Sequence, residues 1–138
     1  MPNLLTPLRG GDGSGLVLRN QSTGTVLAST LLPALDSDTR RTGLLKHQSL
    51  ANGVAMLIAP TNAIHTFFMK FPIDVAFVQK DGRIVKVRHR MPAWRISAAW
   101  GGYVVVEMAV GSFERARTVV GDVLAIEPES ISPVPGNR

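Results

Sequence analysis

Ile73-Asp74-Val75-Ala76-Phe77-Val78-Gln79-Lys80-Asp81-Gly82-Arg83-Ile84-Val85-Lys86-Val87-Arg88-His89-Arg90 is the stretch that decides the fold. Ile73, Val75 and Phe77 alternate with Asp74, Ala76 and Val78, which is the two-residue period of a strand. Asp81-Gly82 is a strong hairpin turn. The return strand, Arg83 to Arg90, puts Lys86, Arg88 and Arg90 on one face and Val85, Val87 and His89 on the other. An antiparallel pair of strands follows from these residues alone.

Upstream, Asn52-Gly53 turns the chain into a strand from Val54 to Ala59, and Pro60 to Asn62 ends it. Before that, Asp36 or Ser37 can cap a helix and Asp38 suits its first turn. Leu44 and Leu45 supply an apolar stripe, and Lys46 and His47 the last turn, so a helix is expected over 37–48. Gly15 to Arg19 and Gly24 to Ser29, separated by the turn formers Asn20 to Thr23, read as a β-hairpin. Downstream, Pro92 to Gly102 is a loop carrying Trp94, Arg95 and Trp100. Tyr103 to Met108 is a dense β-branched strand expected at the centre of the sheet. A short helix over 111–119 and a last strand, Val123 to Glu127, complete the order.

Residues 1–14, rich in Gly and Pro, are expected as a flexible arm. Residues 129–138, with Pro133, Pro135 and Gly136, are expected as a tail. The remaining 15–128 make one globular domain, which suits a chain of 138 residues. Strands outnumber helices and tight turns join most neighbours. The expected class is α+β and β-rich: a largely antiparallel sheet, curled or barrel-like, with two short helices.

Composition narrows the functions. Hydrophobic residues at 45% and charged residues at 18% describe a soluble folded chain and not a disordered one. Cysteine is absent, which excludes disulfides and thiolate chemistry. The apolar runs are strand-sized, well short of the roughly 20 residues that span a bilayer. Pro2, Pro7 and Arg9 interrupt the leucines near the start, so no export leader is legible and a cytoplasmic location is expected. A net charge of +5 favours acidic partners but is modest for a dedicated nucleic-acid binder.

The densest chemistry lies in Ile64-His65-Thr66-Phe67-Phe68-Met69-Lys70-Phe71-Pro72-Ile73-Asp74. A histidine beside an aspartate can act as an acid–base pair, because the carboxylate orients the ring and raises its basicity. The plainer reading has His65 and Thr66 satisfying backbone groups in a turn, with Met69 and the phenylalanines in the core. The basic strand is a second candidate. Lys86, Arg88 and Arg90, near Trp94 and Trp100, combine cations with aromatic faces, as single-stranded nucleic acid requires. Its plainer reading is a solvated sheet face whose charges discourage edge pairing. His47, His65 and His89 lack ligand spacing, so neither a metal nor another cofactor is expected.

His65-Thr66-x-x-Met69-x-x-Pro72-Ile73-Asp74, with Asp81-Gly82 beyond it, resembles the domain-of-unknown-function family 192. Arg40 or Arg41 before Gly43-Leu44-Leu45, Pro92-x-Trp94-Arg95, and Glu107 followed by Gly111 and Gly121-Asp122 match further motifs of that family in order. The resemblance covers roughly residues 24–127. It implies a compact, β-rich mixed fold with no assigned activity, and many members of the family are exported. It also implies that the matching polar positions, His65, Thr66, Met69, Asp74, Arg95 and Glu107, line one face or pocket.

The expected function is therefore a binding or accessory module for a small molecule or protein partner. Its site is built from His65, Thr66, Asp74 and Arg95 and floored by Met69 and Trp94. Arg95 would pair with an anionic group. The alternatives are a small hydrolase or transferase with His65 as general base, and a nucleic-acid module reading through Lys86, Arg88 and Arg90.

Overall fold

A computed structural model describes residues 3–129. A short 3-10 turn, Thr6–Leu8, leads into the hairpin of β1 (Leu16–Asn20) and β2 (Thr25–Ala28). Then come β3 (Thr30–Ala34), α1 (Ser37–Thr42) and β4 (Val54–Ile58). The ribbon strand β5 (Ala63–His65) precedes the central hairpin of β6 (Ile73–Val78) and β7 (Ile84–Met91). β8 (Ile96–Ala98), β9 (Val104–Met108), α2 (Ser112–Arg115) and β10 (Leu124–Pro128) complete the chain.

The class is α+β with two short helices, but the curled or barrel-like sheet expected above does not form. The strands separate into three sheets, ordered β10-β1-β2, β3-β4-β9-β6-β7 and β5-β8. The five-stranded sheet ends at β3 on one side and β7 on the other. β3 pairs with β4 in parallel while the other strand pairs are antiparallel, so the sheets are mixed. A parallel neighbour needs a crossover, and α1 lies in it. Pro33 lies within β3, and a residue without an N–H suits an edge strand.

Both helices are shorter than expected. Asp36 caps α1, its carboxylate accepting the Thr39 N–H at 2.7 Å. Gly43, with φ of 47°, ends the helix one residue after Thr42, so Leu44 and Leu45 fold inward from a turn instead of extending a stripe. α2 starts from Gly111, whose φ of 91° is left-handed. The Ser112 hydroxyl donates to the Ala109 carbonyl at 2.6 Å.

The two faces of the five-stranded sheet carry separate cores. Ala76, Val78, Val104, Val106 and Met108 face one cluster, together with Leu18, Phe113 and Leu124. Ile73, Val75, Phe77, Val105, Met56 and Ile58 face the other, with Leu44. The segment read as a flexible arm contributes to the first of these: Leu4 and Leu8 are buried in it. Their burial outweighs the glycines and prolines around them. The tail expected over 129–138 lies outside the described residues apart from Glu129.

Candidate functional site

Strand alternation places Glu107 on the face of β9 that Val105 shares. There its neighbours in register are Met56 of β4 and Val75 of β6. A carboxyl therefore stands in the middle of an apolar sheet face. It is 5% exposed. Burial alone pushes its pKa up from 4.5 to about 7, because desolvation penalises the charged form. Among the described residues no hydrogen bond or ion pair reaches it.

Glu107 borders a pocket of about 250 Å³. Ile58, Leu44 and Met69 give this pocket apolar walls, and Arg40, Arg41 and His65 also line it. The Arg40 guanidinium donates to the carbonyls of Leu35 at 2.8 Å and Ala59 at 3.2 Å, which ties α1 to the end of β4. Among the described residues the Arg41 guanidinium reaches only Asp38, at 3.4 Å, and both side chains are largely exposed. His65 Nδ1 accepts the Phe67 N–H at 3.3 Å. In the neutral ring that places the proton on Nε2.

The other expected residues are distributed elsewhere. Asp74 is fully buried, but it follows Ile73 and precedes Val75 on β6, so its side chain takes the opposite face from Glu107 and the pocket. Its Oδ1 accepts the Arg90 N–H at 2.8 Å and its Oδ2 the Gly111 N–H at 3.0 Å. The imidazole near it belongs to His89, with Nδ1 3.8 Å from Asp74 Oδ2 and 3.6 Å from Glu114 Oε1. Asp74 and His65 are not a pair.

Thr66 is buried and joins two loops. Its hydroxyl donates to the Pro92 carbonyl at 2.6 Å and accepts the Arg95 N–H at 3.0 Å. Its carbonyl accepts the N–H groups of Trp94 and Met69. Among the described residues the Arg95 guanidinium makes only long local contacts, to the carbonyls of Ala93 and Trp94 at 3.4 Å. Trp94 is 57% exposed and floors nothing.

The basic strand, β7, pairs with β6 in irregular register, with shifts between Ile73 and Val75 and between Phe77 and Val78 of β6. Lys86 lies over the Phe77 ring and donates to the Ala98 carbonyl at 2.8 Å. Arg88 is half-buried opposite Val75. Arg90 sits in left-handed backbone at φ of 50°. The structure thus brings together His65, Met69 and Glu107 from the expected set and adds Arg40, Arg41 and Leu44. The Arg40-to-Leu45 motif carried a signal in the sequence; its place beside Glu107 depends on the crossover from β3 to β4.

Fold and cavity define a small α+β domain with one buried carboxyl at a pocket. Among the described residues no cluster of three or more His, Asp or Glu could hold a metal ion, and no helix is long and apolar enough to cross a membrane. The chain belongs to the DUF192 family, described as an uncharacterized ACR, whose model matches residues 18–126. No curated protein matches it. One similar solved structure is a protein from Sinorhizobium meliloti described as a candidate transcription regulator. It has a TM-score of 0.68 and 21% identity over 79% of this chain and 89% of that one. Another is a protein of unknown function from Novosphingobium aromaticivorans, with a TM-score of 0.68 and 20% identity over 79% of this chain and 81% of that one. At such identity these likenesses speak for the fold alone.

Proposed function

We propose that the protein is a binding module that takes a small molecule in the pocket beside Glu107. One observation carries this reading: a largely buried residue on an apolar sheet face, Glu107, borders the pocket, and its carboxyl has no hydrogen-bond partner among the described residues. A carboxyl in apolar surroundings without a protein partner is costly, and native proteins rarely keep one without a reason. A ligand that hydrogen-bonds Glu107 supplies the missing partner. Near neutral pH the carboxyl can donate when protonated and accept when ionised. Arg40 and Arg41 add positive charge, so the fitting ligand carries a polar group toward Glu107 and an acidic group toward the arginines.

A second reading has one observation in its favour. A carboxyl titrating near neutrality in a pocket that a histidine also lines suits general acid–base catalysis. His65 would then serve with Glu107 and not with Asp74. Nucleic-acid binding through Lys86, Arg88 and Arg90 has less support, because Lys86 is committed to a backbone carbonyl and Arg88 is half-buried.

The test is a thermal-shift screen with small carboxylic acids, amines and amino acids. Binding to the native state raises the midpoint by mass action. The reading expects one class of compound to raise the midpoint of the wild type and to lose that effect in Glu107→Gln and His65→Ala. Equal shifts in all three proteins, or none in any, would sink it. Turnover of a bound compound that disappears in Glu107→Gln would favour the catalytic reading.

A further inference from the structure

We propose that the tip formed by the loops around Phe68 and Trp94 docks the protein on an anionic lipid surface. Phe68, Trp94 and Ile96 are 69%, 57% and 67% exposed; Phe68 and Trp94 touch, and Ile96 is linked to them through His65 and Phe67. Ile96 is paired with His65 across the β5–β8 ribbon. The His65 ring stacks on Phe67 at 4.8 Å, Phe67 on Trp94 at 5.7 Å, and Phe68 meets Trp94 edge-on at 4.7 Å. A contiguous exposed patch of this kind marks an interaction site, whereas apolar residues scattered singly on a surface do not.

The backbone holds these side chains outward at a cost. Phe68 and Trp94 have φ of 65° and 66°, a left-handed region that bulky residues rarely adopt. Such conformations persist where the surroundings over-determine them, and Thr66 does so here by bonding to both loops. The platform is therefore preorganised.

Charge selects the occupant. Segments 63–73 and 82–106 contain no Asp or Glu, while Lys70, Arg90 and Arg95 lie within a few residues of Phe68 and Trp94 in sequence and are exposed. An apolar tip whose loops carry cations and no acids complements a bilayer with acidic headgroups, where Trp sits at the headgroup level and Lys and Arg meet the anionic surface. A projecting tip enters a bilayer without needing a socket shaped to receive it. Ile96, which offers no flat ring, fits a hydrocarbon boundary better than stacked bases.

Co-sedimentation of the full chain with vesicles tests this. Vesicles of phosphatidylcholine with phosphatidylglycerol should pellet the protein, and vesicles of phosphatidylcholine alone should not. Binding should weaken with added salt. Phe68→Ser/Trp94→Ser/Ile96→Ser should bind at least about tenfold more weakly, given the apolar area removed, with an unchanged melting midpoint. In a Trp100→Phe background Trp94 is the only tryptophan, and its emission should shift to the blue on mixed vesicles. The proposal is overturned by an absence of vesicle binding, by unchanged binding of the triple variant, or by light scattering that finds a wild-type dimer which the triple variant turns into a monomer.

Discussion

Asp74 Oδ1 accepts the backbone N–H of Arg90 at 2.8 Å, and the same carboxylate takes the Gly111 N–H at 3.0 Å. The first bond fixes the irregular register between β6 and β7, where Arg90 turns left-handed. The second positions the residue from which α2 starts. Asp74 is thus a structural acceptor inside the core and not a catalytic acid. Asp74→Ala leaves the part-buried amides of Arg90 and Gly111 without their acceptor, and a loss of about 2–4 kcal/mol is expected. Urea unfolding measures it; a change below about 1 kcal/mol, the level of an ordinary surface substitution, would contradict this role.

Glu107 makes stability depend on pH. Its pKa in the folded protein, about 7, lies above the ordinary value of 4.5. Between these values the folded chain holds a proton that the unfolded chain has lost. The contribution is present in full below pH 4.5 and disappears as pH rises through about 7. The shift corresponds to about 3 kcal/mol. Glu107→Gln removes that titration, so wild type should lose about this much relative to the variant across the window. Unfolding both proteins at several pH values checks the prediction, since other groups cancel in the difference; parallel curves would refute it.

Thr66 determines how the two aromatic loops are held. Thr66→Val keeps the shape but removes the hydroxyl bonds to Pro92 and Arg95, at an expected cost of about 1–3 kcal/mol. The loops should loosen before the sheets do. Trp94 emission anisotropy in a Trp100→Phe background should fall well below the unfolding temperature. Unchanged anisotropy would mean that Thr66 does not hold the platform.

Gly82 has two reasons to be glycine. Its φ is 98°, and a Cβ there would stand 2.2 Å from the Leu124 carbonyl oxygen. Strain and clash together predict a loss of about 3 kcal/mol or more for Gly82→Ala. A thermal scan measures it, and a near-neutral outcome would mean that the β6–β7 turn and β10 can move apart.

The Gly82 turn also indicates what the sequence could convey. Alternation in Ile73 to Val78 and the Asp81-Gly82 pair made the central hairpin legible, because both are local signals. The contact between Gly82 and Leu124 is long-range and left no trace. β3 carries no clear strand signal because Pro33 breaks its pattern, and without β3 neither the parallel pair nor the open edge follows from the sequence. Leu4 and Leu8 lie among glycines and prolines that read as a loose arm. At the site, His65, Met69 and Glu107 were legible as polar or soft residues in matching motifs. Asp74 and His65 looked like a pair because they are near in sequence, yet alternation puts Asp74 on the sheet face away from the pocket that His65 lines.

The most direct test of the central claim is a fragment screen read by backbone nitrogen–proton correlation spectra of the assigned protein. The account predicts that small acids carrying a polar donor perturb Arg40, Leu44, His65 and Glu107 together, and that Glu107→Gln abolishes the response. Hits that map away from this pocket, or hits whose perturbations survive the substitution, would contradict it.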